Sequence, residues 1–207
     1  LRNELETLRD ESGDDSPRSE QVERSLDYAD QLLSTFSGLL RIARIEAGDL
    51  KMKMKPVDLT ALIQDTVELY EALAEVKHIQ IKTELNDSVT VLGDRDALFQ
   101  AVANLLDNAI KYTQEGGEVV LSVGQSEQVA EIKVADNGPG IPAYECDRVV
   151  QRFYRLDKSR NTPGNGLGLS LVEAIAKMHN ATLIFSDNAP GLRVVVRFET
   201  VSWPHVS

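Results

Sequence analysis

The sequence is poor in thiols and in positive charge, and it has no long apolar run. Its 207 residues include a single cysteine, Cys146. One cysteine excludes an internal disulfide and fits a reducing compartment, and with no second thiol nearby it predicts an ordinary surface or lid residue. A chain of this length buries about 70% of its unfolded surface, so its fold needs neither disulfides nor a structural metal.

Positive charge is scarce: 22 Lys and Arg stand against 33 Asp and Glu, giving a net charge of -11. This balance argues against nucleic acid or an anionic membrane surface as the main partner. A run of cations is usually only solvated surface. One such run lies between two glycine-rich motifs, which favours contact with phosphate: Arg148, Arg152, Arg155, Lys158 and Arg160.

No apolar run approaches the roughly 20 residues that span a bilayer, and the start of the sequence has no pattern that predicts a secretory leader. The chain begins with Leu1, inside a helical pattern, rather than with Met. We therefore expect a fragment of a longer protein, with one domain of ordinary size and an appendage.

The first quarter of the chain predicts a helical hairpin. A helix is expected to end near Glu11, breakers follow over residues 12–17, and a second helix runs from Arg18 to about Ala47. A hairpin that cannot cover its own apolar stripe is expected to pair with a second copy as a four-helix bundle. The stripe comprises Val22, Leu26, Ala29, Leu32, Leu33, Phe36, Leu39, Leu40 and Ala43.

The remainder predicts an α+β fold, a two-layer helix-and-sheet sandwich with a mixed or antiparallel sheet and three main helices. After a linker over residues 49–56, Asp58 is expected to cap a helix that reaches about Lys77. Its expected buried face is Leu62, Ile63, Val67, Tyr70 and Leu73. Strands are expected over residues 79–81, 89–91, 119–123, 129–134, 181–186 and 192–200, with a turn over 124–128. Helices are expected from Asp94 to Thr113 and from Leu167 to Met178, and residues 142–165 form a loop long enough to be a functional lid.

The central helix carries four polar residues on one arc: Asn104, Asn108, Lys111 and Tyr112. The opposite arc is apolar, with Leu98, Val102, Leu105, Leu106 and Ala109. Amide oxygens suit a hard cation and lysine suits a phosphate. Taken alone, however, a polar arc more often indicates a solvated face.

Three motifs further along the chain change that interpretation. They are Asp136-Asn-Gly-Pro-Gly-Ile141, Arg152-Phe-Tyr-Arg155 and Gly164-Asn-Gly-Leu-Gly-Leu169. Together with the asparagine helix they resemble the nucleotide-binding boxes of sensor histidine kinases, a branch of the GHKL ATPase superfamily. The resemblance covers almost the whole chain and implies the Bergerat ATP-binding fold. It assigns residues 1–55 to part of a dimerisation and phosphotransfer hairpin and residues 56–207 to a catalytic domain.

The resemblance implies ATP and Mg²⁺ as ligands. Asp136 would accept a hydrogen bond from the exocyclic amine of adenine, while Tyr112 would lie against the adenine or ribose. Asn108 would hold Mg²⁺ with Asn104 in support, and Lys111 would touch a phosphate.

Further binding residues implied by the resemblance lie in the glycine motifs and the lid. Glycines at a helix start leave backbone amides free to bind anions. Phe153 would anchor the lid or pack in the core, and Arg152 and Arg155 would contact the γ-phosphate or lie on the surface. The implied catalytic residues are Asn104, Lys111, Arg152 and Arg155. The implied binding residues are Gly138, Gly140, Ile141, Phe153, Gly164, Gly166, Leu167, Gly168 and Leu169, beside Asn108, Lys111, Tyr112 and Asp136.

The resemblance also indicates the reaction. Hydrolytic members of the superfamily have a Glu where this chain has Asn104, and an amide cannot accept a proton from water. Transfer of the γ-phosphoryl to a protein histidine, and from there to an Asp of a response regulator, is therefore expected.

Two departures from the family pattern bear on that expectation. The box that carries the phosphorylated histidine is absent, so the acceptor is expected just before Leu1, and this fragment is expected to bind ATP without phosphorylating itself. His78, His179 and His205 are expected to be structural or exposed. Asn180 and Ala181 replace a Gly-Gly pair after His179, a change that the left-handed tendency of Asn should allow.

The expected partners are a second copy of the chain and a receiver domain, and not nucleic acid. The parent is expected to be a bacterial inner-membrane sensor with this part in the cytoplasm. Two alternatives stay open: a nucleotide-sensing dimerisation module from an inactive parent, and a hydrolytic GHKL ATPase, which Asn104 disfavours.

Overall fold

The computed structural model describes residues 17–47, 53–86, 88–126, 128–156 and 164–199. The first described element is a long helix, α1 (Pro17–Glu46). It agrees with the predicted second helix of the hairpin, while the first predicted helix, with Leu1, Leu5 and Leu8, lies outside the described residues.

The apolar stripe of α1 is divided between the protein core and solvent. Leu39 packs against the core, whereas Leu32, Leu33, Phe36 and Leu40 are exposed. The residue that seats α1 most firmly is Ile42, which is 1% exposed, with Ile45 packing beside it. Neither belongs to the predicted stripe, which is expected to pack in a helical bundle. Ile42 and Ile45 lie on a different side of α1 and contact α4.

The main sheet has five strands: β2 (Gln80–Leu85), β4 (Glu118–Ser126), β5 (Val129–Asp136), β7 (Leu192–Glu199) and β6 (Thr182–Asp187), adjacent in that order. The pair β2 and β4 is parallel and the other pairs are antiparallel, so the sheet is mixed. Burial alternates along β4 and β5, which places one face of the sheet against the helices.

Two local predictions about strands were wrong. The linker expected over residues 49–56 contains the start of β1 (Lys55–Asp58), which pairs with β3 (Thr90–Gly93) in a separate two-stranded sheet. Pro56 hid this strand, because proline is tolerated at such edges without favouring them. The turn expected over residues 124–128 is shorter, since the β4 and β5 ladder continues to the pair Ser126 and Val129.

The helical layer comprises α2 (Leu59–Val76), α3 (Arg95–Tyr112) and α4 (Gly168–Met178). Asp58 caps α2 as predicted, accepting hydrogen bonds from the amides of Thr60 and Ala61. Leu73 is 46% exposed rather than buried, because its neighbour Ala74 faces the core in that turn. The α+β two-layer fold is confirmed.

Histidine 179 joins the ends of two helices. It is 7% exposed, its Nδ1 lies 2.7 Å from the carbonyl oxygen of Ile175, and its Nε2 accepts a hydrogen bond of 3.0 Å from the amide of Asp94, the cap of α3. Asn180 takes the left-handed conformation with φ of 52°. His179 is therefore structural, which is one of the two alternatives predicted from the sequence. Asn180 takes the place of the glycine that commonly ends a helix.

Candidate functional site

A large open cavity of about 1430 Å³ lies where α3, the end of β5 and the start of α4 meet. The predicted polar arc of α3 lines it, with Asn104, Asn108, Lys111 and Tyr112, while the opposite arc is buried. The arc is therefore the wall of a cavity rather than a merely solvated face. Its size suits a ligand as large as a nucleotide.

Asp136 ends β5 at one side of the cavity and is 8% exposed. Its Oδ1 accepts hydrogen bonds from the amides of Gly138, at 2.9 Å, and Leu192, at 3.2 Å. Burial raises the pKa of the carboxyl above its ordinary value, against the lowering effect of those two amides. Within the described residues no protein group donates to Oδ2, so this oxygen can accept a hydrogen bond from a ligand amine.

The turn between β6 and β7 holds Asp136 in place, and the sequence interpretation missed it. Asn188 Nδ2 donates to the carbonyl oxygen of Asp136 at 2.9 Å. Gly191, with φ of 113°, lies so close to that carbonyl that any side chain there would overlap it. The stretch Asn188-Ala-Pro-Gly191 is an evident turn signal, but nothing local in it reveals that the turn touches Asp136, 52 residues away.

Next to Asp136, a buried hydroxyl has no partner. Thr113 is 2% exposed, and its Oγ1 is the buried side-chain atom that finds no hydrogen bond in the described part of the chain. A Cβ added at Gly138 would lie 3.0 Å from Asp136 Oδ1 and 3.4 Å from the Cα of Thr113. Because a buried hydroxyl without a partner is costly, an ordered water is the expected partner of Thr113 Oγ1, close to the Asp136 end of the cavity. Gly140 and Ile141 line the cavity beside it.

The other end of the cavity is formed by the two asparagines and the start of α4. Asn104 Nδ2 donates to the carbonyl oxygen of Gln100 at 2.9 Å, which fixes the orientation of this amide. A Cβ on Gly168 would lie 3.7 Å from Asn104 Oδ1 and 3.4 Å from Asn108 Nδ2. Glycine therefore keeps the space between both amides and the helix N-terminus open, where anions are favoured.

The glycine loop adjoins the same region. Gly164 and Gly166 have φ of 146° and 69°, and Leu167 N–H donates to Asn165 Oδ1 at 3.2 Å. Lys111 Nζ occupies the position that a side chain on Gly164 would need. Gly164, Gly166, Leu167, Gly168 and Leu169 all line the cavity, so the structure brings together the predicted loop and the predicted lysine.

These residues fit Mg²⁺ held jointly with phosphates rather than by the protein alone. Among the described residues no group of three His, Cys, Asp or Glu side chains could hold a metal ion. Mg²⁺ commonly keeps waters and takes only one or two protein oxygens plus phosphate oxygens. The amide of Asn108 lines the cavity without a hydrogen-bond partner in the part of the chain that is described, and Asn104 adjoins it.

Lys77, another residue that the sequence interpretation missed, stabilises the end of α3. Its Nζ donates to the carbonyl oxygens of Ile110, Lys111 and Thr113 at 2.8, 2.9 and 3.1 Å. These carbonyls lie at the C-terminal end of α3, where no amide of the helix is available to donate to them. Lys77 thereby fixes the turn that carries Lys111 and Tyr112. The Lys111 ammonium lies 5.1 Å from the centre of the Tyr112 ring.

The predicted lid residues are only partly brought to the cavity. Arg155 lines it and donates to the carbonyl oxygen of Gly164 at 2.7 Å. Arg152 instead forms an ion pair with Glu46 of α1, in a second, smaller cavity. Phe153 is 55% exposed and has φ of 64°, so it is neither a core aromatic nor part of the cavity lining. Lys158 and Arg160 lie outside the described residues.

The fold and the cavity define a GHKL-type domain. The family model described as histidine kinase-, DNA gyrase B-, and HSP90-like ATPase matches residues 93–202. The chain is 32% identical over 193 residues to the signal transduction histidine-protein kinase BaeS of Escherichia coli (strain K12), covering 92% of this chain and 41% of the relative. It is 34% identical over 190 residues to the phosphate regulon sensor protein PhoR of Pseudomonas aeruginosa (strain PAO1), covering 90% and 43%.

A solved structure gives the same result. The mycobacterial sensor histidine kinase MprB has 32% sequence identity and a TM-score of 0.63, covering 70% of this chain and 97% of that one. The chain therefore belongs to the GHKL family, as the catalytic domain of a sensor histidine kinase. It spans less than half the length of BaeS and PhoR. No helix among the described residues is long and apolar enough to cross a membrane.

Proposed function

We propose that this chain binds Mg-ATP and transfers the γ-phosphoryl group to a histidine on a dimerisation helix outside it, from which the group passes to an Asp of a response regulator. The observation that carries the proposal is Asn104, an amide at the position where a hydrolase needs a carboxylate. Its orientation is fixed by Gln100, and it lies beside Asn108 and the start of α4.

The two ends of the cavity suggest how ATP would lie. Asp136 offers one free carboxylate oxygen to the adenine amine, and its other oxygen is already fixed by two backbone amides. The phosphates would extend toward Asn108, Lys111 and the amides at the start of α4. A nucleobase lacking the amine would leave the buried carboxylate unpaired and would be rejected.

Mg²⁺, when bound with the phosphates at Asn108, would neutralise their charge. The protein residues would do the remaining work by positioning. Lys111 brings a second positive charge, and Asn104 cannot remove a proton from water, so hydrolysis would be suppressed. A neutral histidine nitrogen is already a nucleophile and needs no such base.

A second copy of the chain is the first partner in this proposal, and a receiver domain is the second. The exposed apolar side chains of α1, Leu33, Phe36 and Leu40, support the first partner, because such a stripe is the usual core of a helical bundle. The names of BaeS and PhoR as a signal-transduction kinase and a sensor support the second. A location on the cytoplasmic side of a bacterial inner membrane is proposed from the same relatives.

The test is labelling with γ-labelled ATP of a longer chain that includes the upstream helix and its histidine. Asn108→Ala should reduce labelling by more than about a hundredfold, since removal of a metal ligand removes charge neutralisation. Asn86→Ala is the matched control, because Asn86 lies at the end of β2 and does not line the cavity. Equal labelling of the two variants would contradict the role of Asn108.

The same experiment separates the rival functions. Nucleotide binding without any labelling of the longer chain would indicate a nucleotide-sensing module instead. Rapid release of labelled phosphate to water would indicate a hydrolytic ATPase.

A further inference from the structure

Four cationic side chains of the described residues line the cavity, and three of them already interact within the protein. Lys77 donates to three carbonyl oxygens, Arg155 donates to Gly164, and Lys111 lies over the ring of Tyr112. The fourth is Arg41, which α1 contributes. Arg41 is half-buried and forms no hydrogen bond or ion pair within the described part of the chain.

Arg41 has no anionic partner within the described residues, although the chain is rich in carboxylates. The net charge is -11, and the nearest carboxylate along α1 that faces the catalytic domain, Glu46, is already paired with Arg152. The cavity lining includes the carboxylates of Asp107 and Asp136, and Arg41 forms an ion pair with neither within the described part of the chain. An anionic ligand in the cavity would give this guanidinium a partner.

The packing of α1 shows which end of the cavity Arg41 borders. Gly38 is three residues before Arg41, so the two lie on neighbouring positions of one helix face. A Cβ on Gly38 would be 3.4 Å from Leu167 Cδ1, at the residue that precedes α4. That start of α4 faces Asn104 and Asn108, the proposed phosphate end, whereas Asp136 marks the opposite end.

We infer that Arg41 is an additional binding residue that reaches from α1 to the terminal phosphate of ATP and favours ATP over ADP. The inference rests on the proposed function. A planar guanidinium with several donors matches phosphate oxygens. Because Arg41 belongs to α1, the contact exists only while α1 lies against α4, so bound ATP also stabilises this arrangement of the helix.

The test is a calorimetric titration of the 207-residue chain with Mg²⁺ and either a non-hydrolysable ATP analogue or ADP. Arg41→Gln should weaken the ATP analogue about tenfold and ADP by less than about threefold, as expected for a charge-assisted hydrogen bond made only to the last phosphate. Arg41→Lys should lie between Arg41→Gln and the unchanged chain. The matched control is Arg44→Gln: Arg44 is an exposed residue in the last turn of the same helix, does not line the cavity, and its replacement should leave both affinities unchanged.

The outcomes separate this inference from the proposed function. Equal weakening of ATP analogue and ADP by Arg41→Gln, or no weakening of either, would overturn the role of Arg41. Failure of the unchanged chain to bind any nucleotide would instead reject the proposed function. Unfolding of Arg41→Gln without ligand should occur at or above the temperature of the unchanged chain, since an unpaired charge is removed; if that variant does not fold, the ratio of ATP to ADP affinity in Arg41→Lys decides.

Discussion

Asp136 is the residue on which the proposed recognition of the nucleotide depends most. Asp136→Asn keeps an oxygen that can accept from the amides of Gly138 and Leu192, but it replaces the charged acceptor that we propose for adenine. The ATP affinity should fall by about 1.5 to 3 kcal/mol, the usual worth of a hydrogen bond to a charged group. Calorimetry with ATP measures this fall, and an unchanged affinity would remove Asp136 from the site.

Asp136→Asn should weaken ATP binding without lowering the stability of the folded chain. The folded-state pKa of Asp136 is raised above 3.8 by burial. At a pH between the unfolded-state and folded-state pKa values, Asp136 is protonated in a larger fraction of folded chains than of unfolded chains. The contribution of Asp136 to stability is therefore largest at low pH and is lost as the pH rises through the folded-state pKa. Urea unfolding without ligand at pH 7 should show Asp136→Asn to be at least as stable as the unchanged chain.

His179 gives a second pH dependence of opposite sign. Burial lowers its pKa below 6.5, and its neutral ring accepts from Asp94. Stability should be fully present above pH 6.5 and fall as the pH drops toward the folded-state pKa, by at most about 1.4 kcal/mol per pH unit. Urea unfolding from pH 7.5 to 5.5 should show this fall, and His179→Gln should remove it. His78→Gln, an exposed control, should not.

At the scale of elements, the turn between β6 and β7 positions Asp136 at the proposed adenine end of the cavity. Gly191→Ala places a methyl group against the carbonyl of Asp136 at a left-handed φ. It should cost about 2 to 3 kcal/mol of stability and weaken ATP as well. Gly124→Ala is the matched control in β4, because a Cβ there meets nothing within 4 Å. Thermal unfolding of the two variants measures the difference. Equal stability of Gly191→Ala and Gly124→Ala would show that the turn can move away from Asp136 at little cost.

The elements also show what local sequence can reveal. The polar arc of α3, the cap at Asp58 and the place of Asp136 at a strand end follow from periodicity and capping rules that operate within a few residues. The contact between Arg152 and Glu46 joins residues 106 apart in sequence, and the support of Asp136 by Asn188 joins residues 52 apart. No local pattern encodes such contacts. For the same reason the packing of α1 beside the cavity, and with it Arg41, could not be predicted.

At the scale of the whole molecule, the exposed side chains of α1 should drive self-association. The double variant Leu33→Ser and Phe36→Ser should weaken a dimer at least about tenfold, since two apolar side chains leave its core. Leu69→Ser is the control, because Leu69 is 63% exposed on α2. Sedimentation velocity over a range of concentrations measures the change, and equal association of all three proteins would place the dimer contact elsewhere.

We propose that this chain binds Mg-ATP for phosphoryl transfer rather than for hydrolysis. The most direct measurement follows γ-labelled ATP bound to the purified chain. We expect saturable binding that requires Mg²⁺, very slow release of labelled phosphate, and no label on the protein, because Asn104 cannot activate water and the proposed acceptor histidine lies outside this chain. Rapid phosphate release would contradict the claim. So would a stable label on the chain that survives base and is lost in acid, since it would make His78, His179 or His205 the acceptor.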